Sequence, residues 1–259
     1  MYFYISPKVW AWYQSRAIAL KKTVDHMFVI LPFEKDFFKK FDWEVDYVGN
    51  PVLDAIKGFN QDKNFAILHG LQDKNIVALL PGSRKMELNR IIPLMVEVAK
   101  KYPAIEFAVA AVSNLSKTLY EPLATQPNVK IVFESSYDLL SIARAAIVTS
   151  GTATLETGIF KVPQVVVYKM GSLEYQVVKR LVKVKFISLV NLIADKEVVR
   201  ELIQHEATVD SVSAELDQLL DEGEYRKSML AEYDRIYKIL DTESASENAG
   251  RLMVKYLKG

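Results

Sequence analysis

Two short segments carry residue types that can hold a phosphate. The first is Pro81-Gly82-Ser83-Arg84, directly after the apolar run Ile76–Leu80. A glycine-containing turn from a strand into a helix leaves backbone N–H groups at the helix start, where the dipole favours an anion. Arg84 adds a planar cation that can fork onto phosphate oxygens. The second glycine and the Lys-Ser/Thr ending of a Walker loop are missing. A plain strand-to-helix turn with a surface arginine accounts for the same residues equally well.

The second segment is Ser150-Gly151-Thr152-Ala153-Thr154-Leu155-Glu156, after the apolar run Ala146–Thr149. Small hydroxyl residues and one glycine again form a helix start suited to phosphate. Glu156 lies further into that helix. A carboxylate there cannot serve the phosphate, but it can bind the two hydroxyls of a ribose. The competing reading is an N-capping Ser/Thr cluster with an exposed glutamate. Two such turns in one parallel-sheet domain are less expected by chance than one, and ligands bind at the carboxyl ends of such strands.

A third element, Leu189-Val190-Asn191-Leu192, places one polar residue in an apolar run. Asn191 either hydrogen-bonds a ligand or caps a helix expected over Lys196–Gln204. His26, His69 and His205 are scattered, without triad-like partners. Asp-x-Asp pairs and metal-ligand spacings are absent, so no metal or cofactor is expected. Glu44 and Asp46 read as a solvated strand edge. Trp10, Trp12 and Tyr13 read as core packing or as a contact for acyl chains. The basic stretch Lys179, Arg180, Lys183 and Lys185 either touches an anionic membrane or ends a solvated helix.

These residues need elements to position them. Short strand-like runs are expected at Tyr2–Ile5, Met27–Leu31, Val45–Val48, Ile76–Leu80, Ile105–Ala110, Val129–Phe133, Ala146–Thr149 and Gln164–Tyr168. Beyond Asn75 the runs are almost wholly apolar, the mark of parallel strands covered by helices on both faces. Leu88, Ile91, Ile92, Met95, Ala99 and Tyr102 stripe one face of a helix after Arg84. The tail reads as helix after helix: Val209, Val212, Leu216 and Leu219; then Met229, Tyr233, Ile236 and Leu240; then Ala249, Leu252, Met253 and Tyr256. Ser244 and Glu247 have capping-box spacing. A boundary is expected near 58–75.

The fold class expected is α/β. One complete doubly wound, Rossmann-like domain is joined to the C-terminal part of a second and to a helical tail. The boundaries read are 1–60, 61–205 and 206–259.

Composition bounds the function. The chain has 259 residues, half of them hydrophobic and a quarter charged, with a net charge of +1. That is ordinary for a folded protein and carries no nucleic-acid footprint. At roughly 100–200 residues per domain it allows one large domain or two modest ones. With no cysteine, thiol nucleophiles, thiolate metal sites and disulfides are excluded. No run reaches the roughly 20 apolar residues of a membrane span, and no secretory signal is seen.

Six ordered blocks resemble lipid-A-disaccharide synthase, a family of bacterial glycosyltransferases. They are Tyr4-Ile5-Ser6-Pro7-Lys8-Val9-Trp10-Ala11-Trp12, Leu31-Pro32-Phe33-Glu34-Lys35, Val48-Gly49-Asn50-Pro51, Leu79-Leu80-Pro81-Gly82-Ser83-Arg84, Ser150 to Glu156, and Val190-Asn191-Leu192-Ile193. The resemblance implies the two-domain GT-B fold. It also implies transfer of diacylglucosamine from UDP-diacylglucosamine to diacylglucosamine 1-phosphate, with inversion and without a metal. Gly82, Ser83, Arg84, Ser150, Gly151 and Thr152 would hold the UDP diphosphate, Glu156 the ribose, and Asn191 would face the donor.

The resemblance further implies a cytoplasmic enzyme peripheral to the inner membrane, with tail helices that cross to a swapped homodimer partner. The family's Gly-rich first turn, acceptor site and catalytic base are not in this sequence. The expectation is therefore a truncated reading frame or an upstream piece made separately, with a UDP-binding fragment as the alternative function. Another GT-B enzyme, such as a UDP-sugar epimerase, shares the fold and a ribose-binding carboxylate but not the Ser-Pro-x-Val-Trp-Ala-Trp block.

Overall fold

The computed structural model describes residues 1–72, 74–171, 174–176 and 184–258. Lys179, Arg180 and Lys183 of the basic stretch, with Leu181 and Val182 between them, lie outside these, as does Asp73. The chain forms two compact units. Of the described residues, one unit comprises 1–58, 174–176, 184–185 and 235–258, and the other comprises 59–72, 74–171 and 186–234.

The first unit holds three parallel strands: β1 (Tyr2–Tyr4), β2 (His26–Val29) and β3 (Asp46–Tyr47), with β2 central. Asn50 starts the helix Pro51–Lys57. Its Oδ1 accepts from the Val52 amide at 3.0 Å, and its Nδ2 donates to the Ile30 carbonyl at 3.1 Å. That is the usual work of an N-cap, with a bond back to the sheet added. The C-terminal helix Ala245–Lys258 packs Ala249, Leu252, Met253 and Tyr256 around Phe28 and Val48. Its start is tied by the Ala245 amide to Asp54 at 2.7 Å. Near its end, Tyr256 stacks on His26 at 3.8 Å and donates to Asp46 at 2.9 Å.

The second unit is built on six strands, all parallel: β4 (Ile76–Leu80), β5 (Glu106–Ala111), β6 (Val129–Phe133), β7 (Ala145–Thr149), β8 (Gln164–Tyr168) and β9 (Glu201–Ile203). Their order is β6-β5-β4-β7-β8-β9. Strands β4 and β7 are buried at every position, which is why their sequences are apolar without alternation. Ala78, Leu80, Ala146 and Val148 face a cluster with Leu139, Leu140, Phe65 and Leu71. The helix Val209–Leu220 packs on β7, on β8 and on the helix Lys85–Lys101. Leu88, Ile91, Ile92, Met95 and Ala99 of that last helix are buried, as their stripe requires.

One element corrects the sequence reading. Lys196–Gln204 is not a helix. The preceding helix, Leu189–Ala194, is ended by Asp195 in the left-handed conformation (φ 49°). The chain then enters β9, which pairs with Val166–Tyr168 at the sheet edge. Val198, Val199 and Leu202 have helical spacing, yet Leu202 pairs with Val167 of β8 and the Val198 and Val199 amides are taken by Asn191.

Candidate functional site

The chain leaves β4 and turns one way through β5 and β6; it leaves β7 and turns the other way through β8 and β9. Between β4 and β7 the order reverses. In open parallel sheets such a switch point opens a crevice at the carboxyl ends of the strands. Leu80 pairs with Val148, so the turns that follow, Pro81–Arg84 and Ser150–Thr152, emerge beside each other.

The first turn is shaped by a residue that the sequence reading missed. Glu87, one turn into the helix Lys85–Lys101, folds its carboxylate back. Oε2 accepts the Ser83 and Arg84 amides at 3.2 and 3.3 Å, and Oε1 meets Arg84 Nη1 at 2.8 Å. The local signal was a carboxylate three positions after the turn, as in a capping box. Gly82 has φ 103°, and a Cβ there would stand 2.4 Å from Glu87 Oε2. Only glycine fits both the backbone and the space. These amides thus already attract an anionic group, while the Arg84 side chain is 80% exposed.

The second turn is held from its flank. Ser150 Oγ donates to the Ile187 carbonyl at 2.9 Å, and Thr154 Oγ1 donates to the Gly151 carbonyl at 2.8 Å. The Ser150 proton therefore goes to the protein. What the turn offers a ligand is the Thr152 hydroxyl, which is exposed, and the amides of the first turn of the helix Thr152–Ile159. Nothing lies within 4 Å of where a Gly151 Cβ would be, so the backbone is open to close approach.

Glu156 is half-buried one turn along that helix. Burial raises its pKa. Among the described residues it has no hydrogen-bond or ion-pair partner. A desolvated, unpaired carboxylate is costly to fold and suited to accept hydroxyl protons from a ligand. The sequence did not mark its neighbour Tyr137, whose phenol is pushed up by burial and then by the Glu156 charge. Tyr137 joins Phe59 and Phe160 in an aromatic group, with ring centroids 5.5 and 5.2 Å away.

Asn191 is fully buried and its amide is saturated. Oδ1 accepts the Val198 and Val199 amides at 2.7 and 2.9 Å; Nδ2 donates to the Val199 carbonyl and to Glu201 at 2.8 and 2.9 Å. It pins the turn into β9 rather than capping a helix, and its side chain has no bond left for a ligand. Among the described residues no group of His, Asp or Glu side chains could hold a metal. His26 packs on Tyr256, His69 on Phe65, and His205 is exposed.

The sequence model of the family described as lipid-A-disaccharide synthetase matches residues 1–253. The chain belongs to the lipid-A-disaccharide synthase family. A family member from Coxiella burnetii (strain Dugway 5J108-111) is 34% identical over 265 residues, covering 97% of this chain and 68% of the relative. Another from Syntrophus aciditrophicus (strain SB) is 35% identical, covering all of this chain and 70% of the relative. Among solved structures, Os79 from O. sativa, in complex with U2F and trichothecene, superposes with a TM-score of 0.61 at 15% identity. It covers 92% of this chain and 56% of that one. That likeness shows the fold, which is the GT-B fold of glycosyltransferases. The family is one of glycosyltransferases acting in lipid A biosynthesis.

Proposed function

We propose that the β4–β7 switch point of this chain seats the UDP of a diacylglucosamine donor. The acceptor is diacylglucosamine 1-phosphate, and the products are the β-1,6-linked disaccharide 1-phosphate and UDP. The observation that carries the reading is the pairing, on adjacent strands of a chain of this family, of a turn that presents the exposed Arg84 with a turn that presents the open first amides of the helix Thr152–Ile159. In a single displacement the acceptor hydroxyl oxygen bonds to the anomeric carbon as the bond from that carbon to the UDP oxygen breaks; the hydroxyl proton is released to water, and negative charge develops on the departing UDP. Arg84 and the amides of Thr152 and Ala153 meet that charge. Glu156 accepts from the ribose hydroxyls. Asn191 acts behind the site by fixing the turn into β9.

The substrates carry acyl chains, so a membrane contact is part of the proposal. Within residues 5–22, Ile5, Trp12, Tyr13 and Ile18 are exposed, as are Lys8, Arg16 and Lys22, and the Trp12 and Tyr13 rings lie 5.9 Å apart. Aromatic rings with flanking cations suit the headgroup boundary of an anionic bilayer. Among the described residues no helix is long and apolar enough to cross a membrane. The contact proposed is a peripheral one, at the cytoplasmic face of the inner membrane. In a swapped homodimer, the contacts of Ala245 with Asp54 and of Tyr256 with Asp46 would be exchanged between copies.

A second reading is donor binding without turnover, favoured by both turns and Glu156 lying in the one compact unit built on β4–β9. A transfer assay with labelled donor, run beside a UDP titration, separates the two. Product formation supports the enzyme; UDP binding without product supports the binding module.

A further inference from the structure

Glu201, at the start of β9, carries four hydrogen bonds on its carboxylate. Oε2 accepts the Ile187 amide at 2.9 Å. Oε1 accepts the Ser188 amide at 2.9 Å, the Ser188 hydroxyl at 2.7 Å and Asn191 Nδ2 at 2.9 Å. Bonds to an ionised acceptor are the strong ones, and four converging on one side chain fix the stretch they come from.

The stretch held in this way is itself bonded to the second turn. Ser150 Oγ donates to the Ile187 carbonyl at 2.9 Å, and the Leu189 amide donates to Thr154 Oγ1 at 3.3 Å. Residues 187–189 therefore lie between two supports. On one side is Glu201, on the other the turn at Ser150–Thr154. Nothing local in the sequence joins them, since Ser150 and Ile187 are 37 residues apart.

We infer that Glu201 is a positioning residue for the donor diphosphate. It sets the Ile187 carbonyl, the carbonyl sets the Ser150 side chain, and Leu189 sets Thr154. Together they hold the amides of the first turn of the helix Thr152–Ile159 in the geometry an anion needs. Sites of this kind lose function when the supporting contacts allow shifts of roughly half an ångström. The inference rests on the reading of that turn as the diphosphate seat.

The test is Glu201→Gln in the full chain, with exposed Glu206→Gln as the control. A carboxamide keeps the size but turns an N–H toward an N–H. Calorimetry compares UDP with uridine, which lacks the phosphates. The UDP Kd is expected to rise about tenfold while the uridine Kd stays within about twofold, the scale of a lost charge-assisted bond. An unchanged UDP Kd in the folded variant overturns the inference. So does equal weakening of UDP and uridine, which marks a merely structural role.

Amide exchange on the unmodified chain keeps the test open if the variant does not fold. UDP must slow exchange at Ile187 and Ser188 together with Ala153 and Thr154. Slowing at Ala153 and Thr154 alone overturns the positioning role and leaves the donor site standing. UDP binding with no slowing at any of them removes the donor-site reading, and the positioning role with it.

Discussion

Leu80 of β4 lies in register with Val148 of β7 at the centre of the parallel sheet. That pairing brings the turns that begin at residues 81 and 150 side by side at one end of the sheet. Neither turn alone distinguishes a phosphate seat from an ordinary strand-to-helix connection. Their adjacency at the point where the strand order reverses is the observation on which the donor-site proposal rests.

Arg84→Ala tests the exposed cation. The Arg84–Glu87 pair is on the surface, so its removal should change stability by less than about 0.5 kcal/mol. The loss for a developing diphosphate charge should be about 1.5–3 kcal/mol. UDP titration and thermal melting of the same variant check both. Unchanged affinity and turnover would remove Arg84 from the site.

Gly82→Ala should do the reverse. A methyl group at φ 103°, 2.4 Å from Glu87 Oε2, forces the turn to rearrange and should cost more than about 1 kcal/mol of stability. Denaturant unfolding measures it. A variant as stable as the parent would show that the capping carboxylate of Glu87 does not constrain the turn.

Glu34 gives the three-stranded unit a pH dependence. It is buried, and its carboxylate accepts the Ile30 and Leu31 amides at 3.1 and 2.9 Å and Trp10 Nε1 at 3.1 Å. Burial outweighs these bonds and raises its pKa from an ordinary 4.5 to about 7. The folded state therefore binds this proton more tightly than the unfolded one. Its contribution to stability is full below pH 4.5 and falls as the pH rises to about 7. The total fall is of order 3 kcal/mol from this group, at 1.36 kcal/mol per pKa unit. Unfolding followed by Trp fluorescence across that range checks it, with Glu34→Gln expected to lose the slope. A parent protein whose unit stability rises from pH 4.5 to 7 by this group would contradict the assignment.

Tyr233→Phe probes the support beneath the second turn. Gln164 Nε2 donates to the Thr154 carbonyl at 2.9 Å and to Tyr233 Oη at 3.2 Å, both in the core. Removing the phenol oxygen leaves a buried N–H with one partner fewer and should cost about 1–2 kcal/mol. A melting temperature equal to the parent's would show that the bond is weak.

What was legible in the sequence was what local pattern carries. The wholly apolar runs Ile76–Leu80 and Ala146–Thr149 mark central parallel strands, and the stripe from Leu88 to Ala99 marks their covering helix. The turns at Gly82 and Gly151 could be placed because strand ends and helix starts bracket them. What was not legible depends on side chains reaching backbone across loops. Glu201 meets Ile187 from 14 residues away, and Asn191 meets Val199 from 8. Nothing in their neighbours' types shows those bonds. The expected helix Lys196–Gln204 is too short for its pattern to separate helix from strand, and the pairing of Glu201–Ile203 with β8 chooses between them.

The most direct test of the donor site is a UDP titration of the intact chain followed by backbone amide NMR shifts. Saturable binding of one UDP is expected, with the largest shifts at Arg84, Thr152, Ala153 and Glu156, and a loss of affinity of about tenfold or more in Glu156→Ala. Saturable binding that leaves those amides unmoved, or no loss of affinity in Glu156→Ala, would contradict it.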